Sequence, residues 1–180
     1  MIILELLLFS LVVLLMVLVT VPIVYSTIKL GITPMPSSSK AYLAMMQLVD
    51  ETDTGVIADL GSGWGNVVIR LAKKYPNRKV IGYELSYLPW LISTILKKLL
   101  GLKNLMVYRQ DFYQADLSKV SVVVCYLFPE AMTKISEKLQ LEKPNIEFLI
   151  SNNFALPNLQ PNTVIKVDDF YKSPVYLYKF

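Results

Sequence analysis

Three glycines at alternate positions, Gly61, Gly63 and Gly65, follow an apolar run that carries an acid, Asp59, near its end ("VIADLGSGWGN"). A loop that bare suits a ligand lying against the backbone itself, since a side chain at any of the three would stand between chain and ligand or block a positive φ. Ser62 sits inside the same loop. Two more acids close the next apolar runs: Glu84 ends "RKVIGYE" and Asp111 ends "NLMVYRQD". A carboxylate about 20 residues past such a loop is placed to accept both hydroxyls of a ribose. The pattern therefore points to a nucleotide-like ligand. The dinucleotide fingerprint wants its glycines at relative positions of about 1, 3 and 6, whereas "GSGWGN" places Asn66 sixth, which counts against NAD.

What the composition excludes is as useful. The chain has no histidine, so histidine triads, histidine metal ligands and imidazole acid–base chemistry are ruled out. Its single cysteine, Cys125, lies in an apolar strand-like run, cannot form an internal disulfide and offers no metal site. The net charge of +4 is spread in short pairs such as Lys73-Lys74 and Lys97-Lys98 with no long basic block, which argues against a nucleic-acid partner and leaves an anionic membrane surface open.

The elements that must position these residues follow from alternation. "GVIADLG", "RKVIGYELS", "NLMVYRQD", "VSVVVCYLF" and "IEFLISNN" read as strands apolar on both faces; "NVVIRLAKKY", "LPWLISTILKKLLG" and "PEAMTKISEKLQ" read as helices between them. Pro89 and Pro129 fall in first turns and Gly101 stops the second of these helices. That order predicts an α/β fold with a parallel sheet covered on both sides. At the end, "NTVIKVDDF" and "SPVYLYKF" are too close for a helical crossover and are expected to pair antiparallel. Ahead of the first strand, "KAYLAMMQLVDE" has helical spacing, with Ser39 expected to cap it.

The N-terminal stretch from Ile2 to Val24 has Glu5 as its only charge and, at about 1.5 Å rise per residue, exceeds the roughly 30 Å hydrocarbon core. It lacks the basic start of a cleaved signal peptide and is expected to be an uncleaved transmembrane anchor. Lys29 and Lys40 follow it and no cation precedes it, so the positive-inside rule puts the bulk of the chain in the cytoplasm, or inside the mitochondrion in a eukaryote. The expected organisation is an anchor over 1–28, a linker over 29–39 and one domain over 40–180.

The spacing D-x-G-x-G-x-G from Asp59 to Gly65 resembles motif I of the class I, seven-strand S-adenosylmethionine-dependent methyltransferases. The resemblance implies S-adenosyl-L-methionine as cofactor. Asp59, Gly61, Ser62, Gly63 and Gly65 would hold its amino-acid part, Glu84 its ribose, and Asp111 with Phe112 its adenine. It also implies a Rossmann-like, mostly parallel seven-stranded sheet ending in an antiparallel hairpin, here preceded by one transmembrane helix. Over nearly its whole length the chain is similar to one branch, the small membrane-anchored protein-lysine methyltransferases that include the mitochondrial enzymes acting on the c-subunit of ATP synthase and on the adenine nucleotide translocase. That likeness is carried by "TPMPSSSKAYLAMM", "DLGSGWGNVVI", "GYELS", "YLFPEAMTKISEKL", "SNNFALP" and "SPVYLYKF". It implies a membrane-associated protein lysine as substrate, with Tyr126, Phe128 and Pro129 as candidate walls of the substrate channel. Asn152 and Asn153, at the end of the fifth strand, are placed either to face the same cleft or to satisfy a turn. Where relatives usually carry an acid and a basic residue within the glycine motif, this chain has Trp64 and Asn66. Two alternatives remain: a methyltransferase for a small or lipid-like acceptor such as a quinone, and a membrane-tethered cofactor-binding protein without turnover.

Overall fold

The structure, a computed structural model, describes residues 2–30, 37–52, 55–142, 145–170 and 172–180. The central part of the expected linker, 31–36, lies outside the described residues, as do the side chains of part of the first helix.

Apolar runs buried on both faces form the middle of a seven-stranded sheet, as a parallel strand sandwiched by helices requires. The strands are β1 (Val56–Leu60), β2 (Val80–Tyr83), β3 (Leu105–Tyr108), β4 (Val120–Cys125), β5 (Phe148–Asn152), β6 (Thr163–Lys166) and β7 (Pro174–Lys179), in the order β3-β2-β1-β4-β5-β7-β6. β1 to β5 run parallel, whereas β7 runs against both β5 and β6. The strand order reverses between β1 and β4, the switch point at which an open α/β sheet leaves a crevice beyond its C-terminal edge.

Helices cover both faces. α2 (Ser39–Asp50) and α3 (Asn66–Lys74) bury Met45, Leu48, Val68 and Leu71 against Ile57, Val80, Val124 and Ile150. α5 (Pro129–Glu142) buries Met132 and Ile135 against the opposite face, with Ala58, Leu60, Val123 and Leu149. α4 (Tyr87–Leu99) lies along β3 at the sheet edge, and Gly101, at φ 62, follows its end in a left-handed stop. The cap of α2 is Ser38, whose Oγ accepts the amide of Ala41 at 3.1 Å, one residue before the expected Ser39.

α1 (Ile2–Leu30) is a continuous helix of 29 residues. Among the described residues no helix is long and apolar enough to cross a membrane, the side chains of α1 being described in broken runs of which 3–14 is the longest. Those described are almost all apolar and exposed, including Ile3, Leu7, Phe9 and Met16.

Candidate functional site

All three motif glycines adopt positive φ: 80° at Gly61, 54° at Gly63 and 85° at Gly65. The turn is therefore one that L-residues resist, and glycine is required by conformation before any ligand is considered. The amides of Gly61 and Ser62 both donate to the Tyr83 carbonyl, at 3.0 and 2.9 Å, which stitches the loop to the end of β2. Among the described residues a Cβ on Gly63 would meet nothing within 4 Å, whereas one on Gly61 would lie 3.3 Å from Leu127 Cδ2 and 3.9 Å from Phe112 Cε1. The loop is a cradle open at Gly63 and walled at Gly61 by the segments that follow β4 and β3.

Glu84, the residue after β2, is buried with both carboxylate oxygens engaged: Oε2 accepts the Gly63 amide at 2.8 Å and Oε1 the Ser86 amide at 2.7 Å. Each oxygen keeps lone-pair capacity after one such bond, so the group retains acceptors for two ligand hydroxyls. Asp59 is also buried; desolvation, with a smaller contribution from the charge of Glu84, pushes its carboxyl up to about 7. Such a group favours a cationic neighbour, because a positive charge restores the ionised form. Asp111 lies three residues beyond the end of β3, where its carboxylate caps a short 3-10 helix, Phe112–Gln114, by accepting the Tyr113 amide at 2.9 Å. Its role as a turn former is therefore realised, and its second oxygen accepts no hydrogen bond among the described residues. The Phe112 and Tyr113 rings follow it, tilted by 52° with centroids 4.4 Å apart.

Register places a second set of residues at the same edge. Leu60 lies opposite Cys125 and Cys125 opposite Ser151, so the residues just beyond, Tyr126 and Asn152, are neighbours across the ends of β4 and β5. Asp59 alternates with Ile57, and Asn152 with Ile150, on the face covered by α2 and α3. Tyr126 stacks with Phe154 at 6.3 Å between centroids. Phe128 packs into the core on the α5 side and Pro129 starts α5 exposed, so of the three residues expected to line a channel only Tyr126 stands beside Asn152. Asn152 is 3% exposed; its Nδ2 donates to Ser37 Oγ at 3.3 Å, while its Oδ1 is buried with no hydrogen-bond partner among the described residues. Asn153 turns the chain at φ 71, and Ser151 Oγ donates to the Phe154 carbonyl at 2.6 Å, which fixes Phe154 next to the crevice.

Cys125 contributes no chemistry of its own, since burial pushes its thiol up to about 12. Sequence reasoning did not single out Phe154 or Ser37. Phe154 carried the signal of an aromatic just past a strand end; Ser37 carried none, because its partner is 115 residues away.

The residue pattern of the ANTKMT methyltransferase domain matches residues 59–163, from the motif acid to the start of β6. Among curated proteins the chain is similar to a protein-lysine N-methyltransferase of Saccharolobus islandicus, 27% identical over 79% of this chain and 90% of that one. It is also similar to the ATP synthase c-subunit lysine N-methyltransferase of Xenopus laevis (33% identical; 62% of this chain, 49% of that one). The adenine nucleotide translocase lysine N-methyltransferase of Mus musculus is 34% identical over 62% of this chain and 48% of its own length. The chain thus spans about half the length of the frog and mouse relatives. Among solved structures, an RNA methyltransferase from Salinibacter ruber in complex with S-adenosyl-L-homocysteine superposes with a TM-score of 0.72 at 26% identity, over 81% of this chain and 93% of that one.

Proposed function

The chain belongs to the ANTKMT methyltransferase domain family, and from that premise we propose that it methylates the side-chain amine of a lysine in a protein held at a membrane. The observation that carries the reading is the crevice itself. The open glycine cradle, the buried acid Asp59 and the doubly anchored Glu84 form a donor–acceptor set that fits the amino-acid and ribose parts of S-adenosylmethionine. When bound, that cofactor supplies an electrophilic methyl group on a sulfonium.

The chain's own residues then do the following. Asp59 stands ready to balance an ammonium, Glu84 holds the loop and accepts ribose hydroxyls, and Asp111 with Phe112 borders the base. Tyr126 and Phe154 wall the acceptor side, and the unpaired Asn152 Oδ1 accepts an N–H of the incoming amine and orients its lone pair. A lysine amine carries its proton at neutral pH and must lose it to solvent before it can attack. Exclusion of water and alignment supply the acceleration, since an in-line displacement needs neither metal nor covalent enzyme intermediate.

α1 serves as the membrane anchor in this reading, with the domain on the cytoplasmic or matrix side. Besides its length and apolar surface, both described hydroxyls of α1 bond back into the helix, Ser10 to the Leu7 carbonyl at 2.9 Å and Thr20 to the Met16 carbonyl at 2.8 Å. Hydrocarbon demands that internal satisfaction. An anchor raises the effective concentration of a target in the same bilayer.

The test is transfer of labelled methyl from S-adenosylmethionine into a membrane extract by the full chain in detergent. Protein-borne label recovered as methyl-lysine after acid hydrolysis supports the proposal. Label that extracts into organic solvent, label removed by ribonuclease, or cofactor binding without transfer each overturns it in favour of a lipid-like acceptor, an RNA acceptor or a non-catalytic binder.

A further inference from the structure

Between Leu85 and Gln110 the chain carries Lys97, Lys98, Lys103 and Arg109 and no acid, so this one segment accounts for the whole net charge of +4. The segment is α4 with its flanks. Its inward row, Pro89 and Ser93, is buried. Its outward face carries two apolar rows at helical spacing, Leu91–Ile95–Leu99 and Ile92–Leu96–Leu100. Leu99 is 78% exposed, Ile95 46% and Leu100 43%, although α1 lies against this same helix. A soluble surface seldom leaves so many large apolar side chains together.

We infer that the outer face of α4 docks on an anionic lipid bilayer, lying in the interface beside the point where α1 enters it. Three features choose lipid over a second copy of the chain. The apolar rows are bordered by lysines, which the cores of protein interfaces avoid and anionic headgroups attract at about 1 kcal/mol each. α1, whose described side chains are mostly apolar and exposed, lies in contact with α4. At the other end of α4, Tyr87 and Trp90 pair at 5.8 Å with the Arg109 guanidinium 5.2 Å from the Tyr87 ring, an aromatic–cationic edge of the kind that settles at headgroup depth. With 13 residues α4 is about 20 Å long, too short to span and long enough to lie flat. Because α4 begins just after Glu84 and Ser86, docking brings the rim of the crevice to the membrane surface, where a lysine just outside the hydrocarbon can enter it. This inference rests on separate observations from the lysine-methylation reading and does not depend on which amine is methylated.

The sole native cysteine is buried, so a cysteine introduced at Leu99 can be labelled alone with an environment-sensitive fluorophore in the full chain. Vesicles of phosphatidylcholine with and without phosphatidylglycerol are the probe, flotation reports anchoring by α1, and Leu141→Cys on α5, equally exposed, is the control. Docking predicts that the label at 99 shifts to the blue and is quenched by lipid-borne nitroxide in anionic vesicles, while the label at 141 does neither. Lys97→Gln and Lys98→Gln should each lower the docked population about fivefold. A label at 99 that stays wet in protein that floats overturns the docking and leaves the anchor standing. Burial that is indifferent to lipid charge overturns it, as does burial that disappears on dilution of protein within the vesicles, which would mark a second copy as the occupant.

Discussion

Glu84 Oε2 accepts the backbone amide of Gly63 across 21 residues of chain, at 2.8 Å, while its other oxygen accepts the amide of Ser86. One carboxylate thus sets the position of the glycine loop and, in the proposed site, would also offer acceptors to the ribose. An amide has only one oxygen, so Glu84→Gln turns one of those two N–H bonds into a donor–donor contact. The variant is expected to lose about 1–3 kcal/mol of cofactor affinity by titration calorimetry and to melt at a lower temperature. Cofactor affinity equal to that of the parent chain would remove Glu84 from the site.

Gly65 is held by two independent constraints. Its φ of 85° lies in the left-handed region, and a Cβ there would stand 2.8 Å from the Cβ of buried Ser93, where α3 starts against α4. Gly65→Ala should therefore destabilise by the left-handed cost of about 1–2 kcal/mol plus about 1–3 kcal/mol of overpacking. Gly63→Ala, with open space around its Cβ, carries the conformational cost alone. Denaturant melts of both variants, of Ser93→Gly and of the double variant separate the parts: in the Ser93→Gly background Gly65→Ala should cost less, by the share due to the Ser93 contact. Equal losses in the two alanine variants would refute the close approach.

The fold and the conformation of the glycine loop were legible because local chemistry encodes them. The bare glycines announce positive φ, and the apolar runs announce buried strands with acids just past their ends. The short joint before "SPVYLYKF" announces an antiparallel return. The acceptor half was less so. Asn152 meets Ser37 from the other end of the domain, and Tyr126 stacks with Phe154 from just past the end of the adjacent strand; neither pairing leaves a local pattern. Three consecutive serines, Ser37 to Ser39, offer equivalent caps for α2, so propensity could not choose Ser38. The acid-free stretch from Leu85 to Gln110 can be read along the chain, but that Lys97 and Lys98 border an exposed apolar face emerges only when α4 is folded against the sheet edge.

Asp59 gives the protein a pH signature. Its carboxyl is pushed up to about 7 by burial, from an ordinary value near 3.8. Below about pH 4 folded and unfolded states both hold the proton and the group has no effect. Between about pH 4 and 7 only the folded state retains it, so rising pH favours unfolding, by roughly 4 kcal/mol over the whole interval; above 7 the loss is constant. Asp59→Asn should abolish that part of the slope, read as the difference between the two stability–pH curves. A cationic ammonium beside Asp59 restores its ionisation, so cofactor binding near pH 6 should release a proton from the parent chain and not from Asp59→Asn. Calorimetry in buffers of different ionisation enthalpy measures this; identical proton counts in the two proteins would contradict the assignment.

Asn152 permits the sharpest separation of function from stability. A buried acceptor without a donor costs about 1–3 kcal/mol, so a fold selected for stability alone has no reason to retain it. Asn152→Leu removes the orphan oxygen in a side chain of the same branched shape, at the loss of the long 3.3 Å bond to Ser37 Oγ, and the melting temperature should fall by no more than that one bond. If Oδ1 orients the incoming amine, the same variant should lose about 10- to 100-fold in kcat/KM with the amine substrate, the equivalent of one good hydrogen bond in the transition state, with cofactor affinity unchanged. Asn152→Asp, which keeps the acceptor, should recover part of the rate and shift its pH dependence, a response that loss of packing does not produce. A folded Leu variant with full activity would leave Asn152 as a residue of the domain edge and place amine recognition elsewhere along the Tyr126–Phe154 wall.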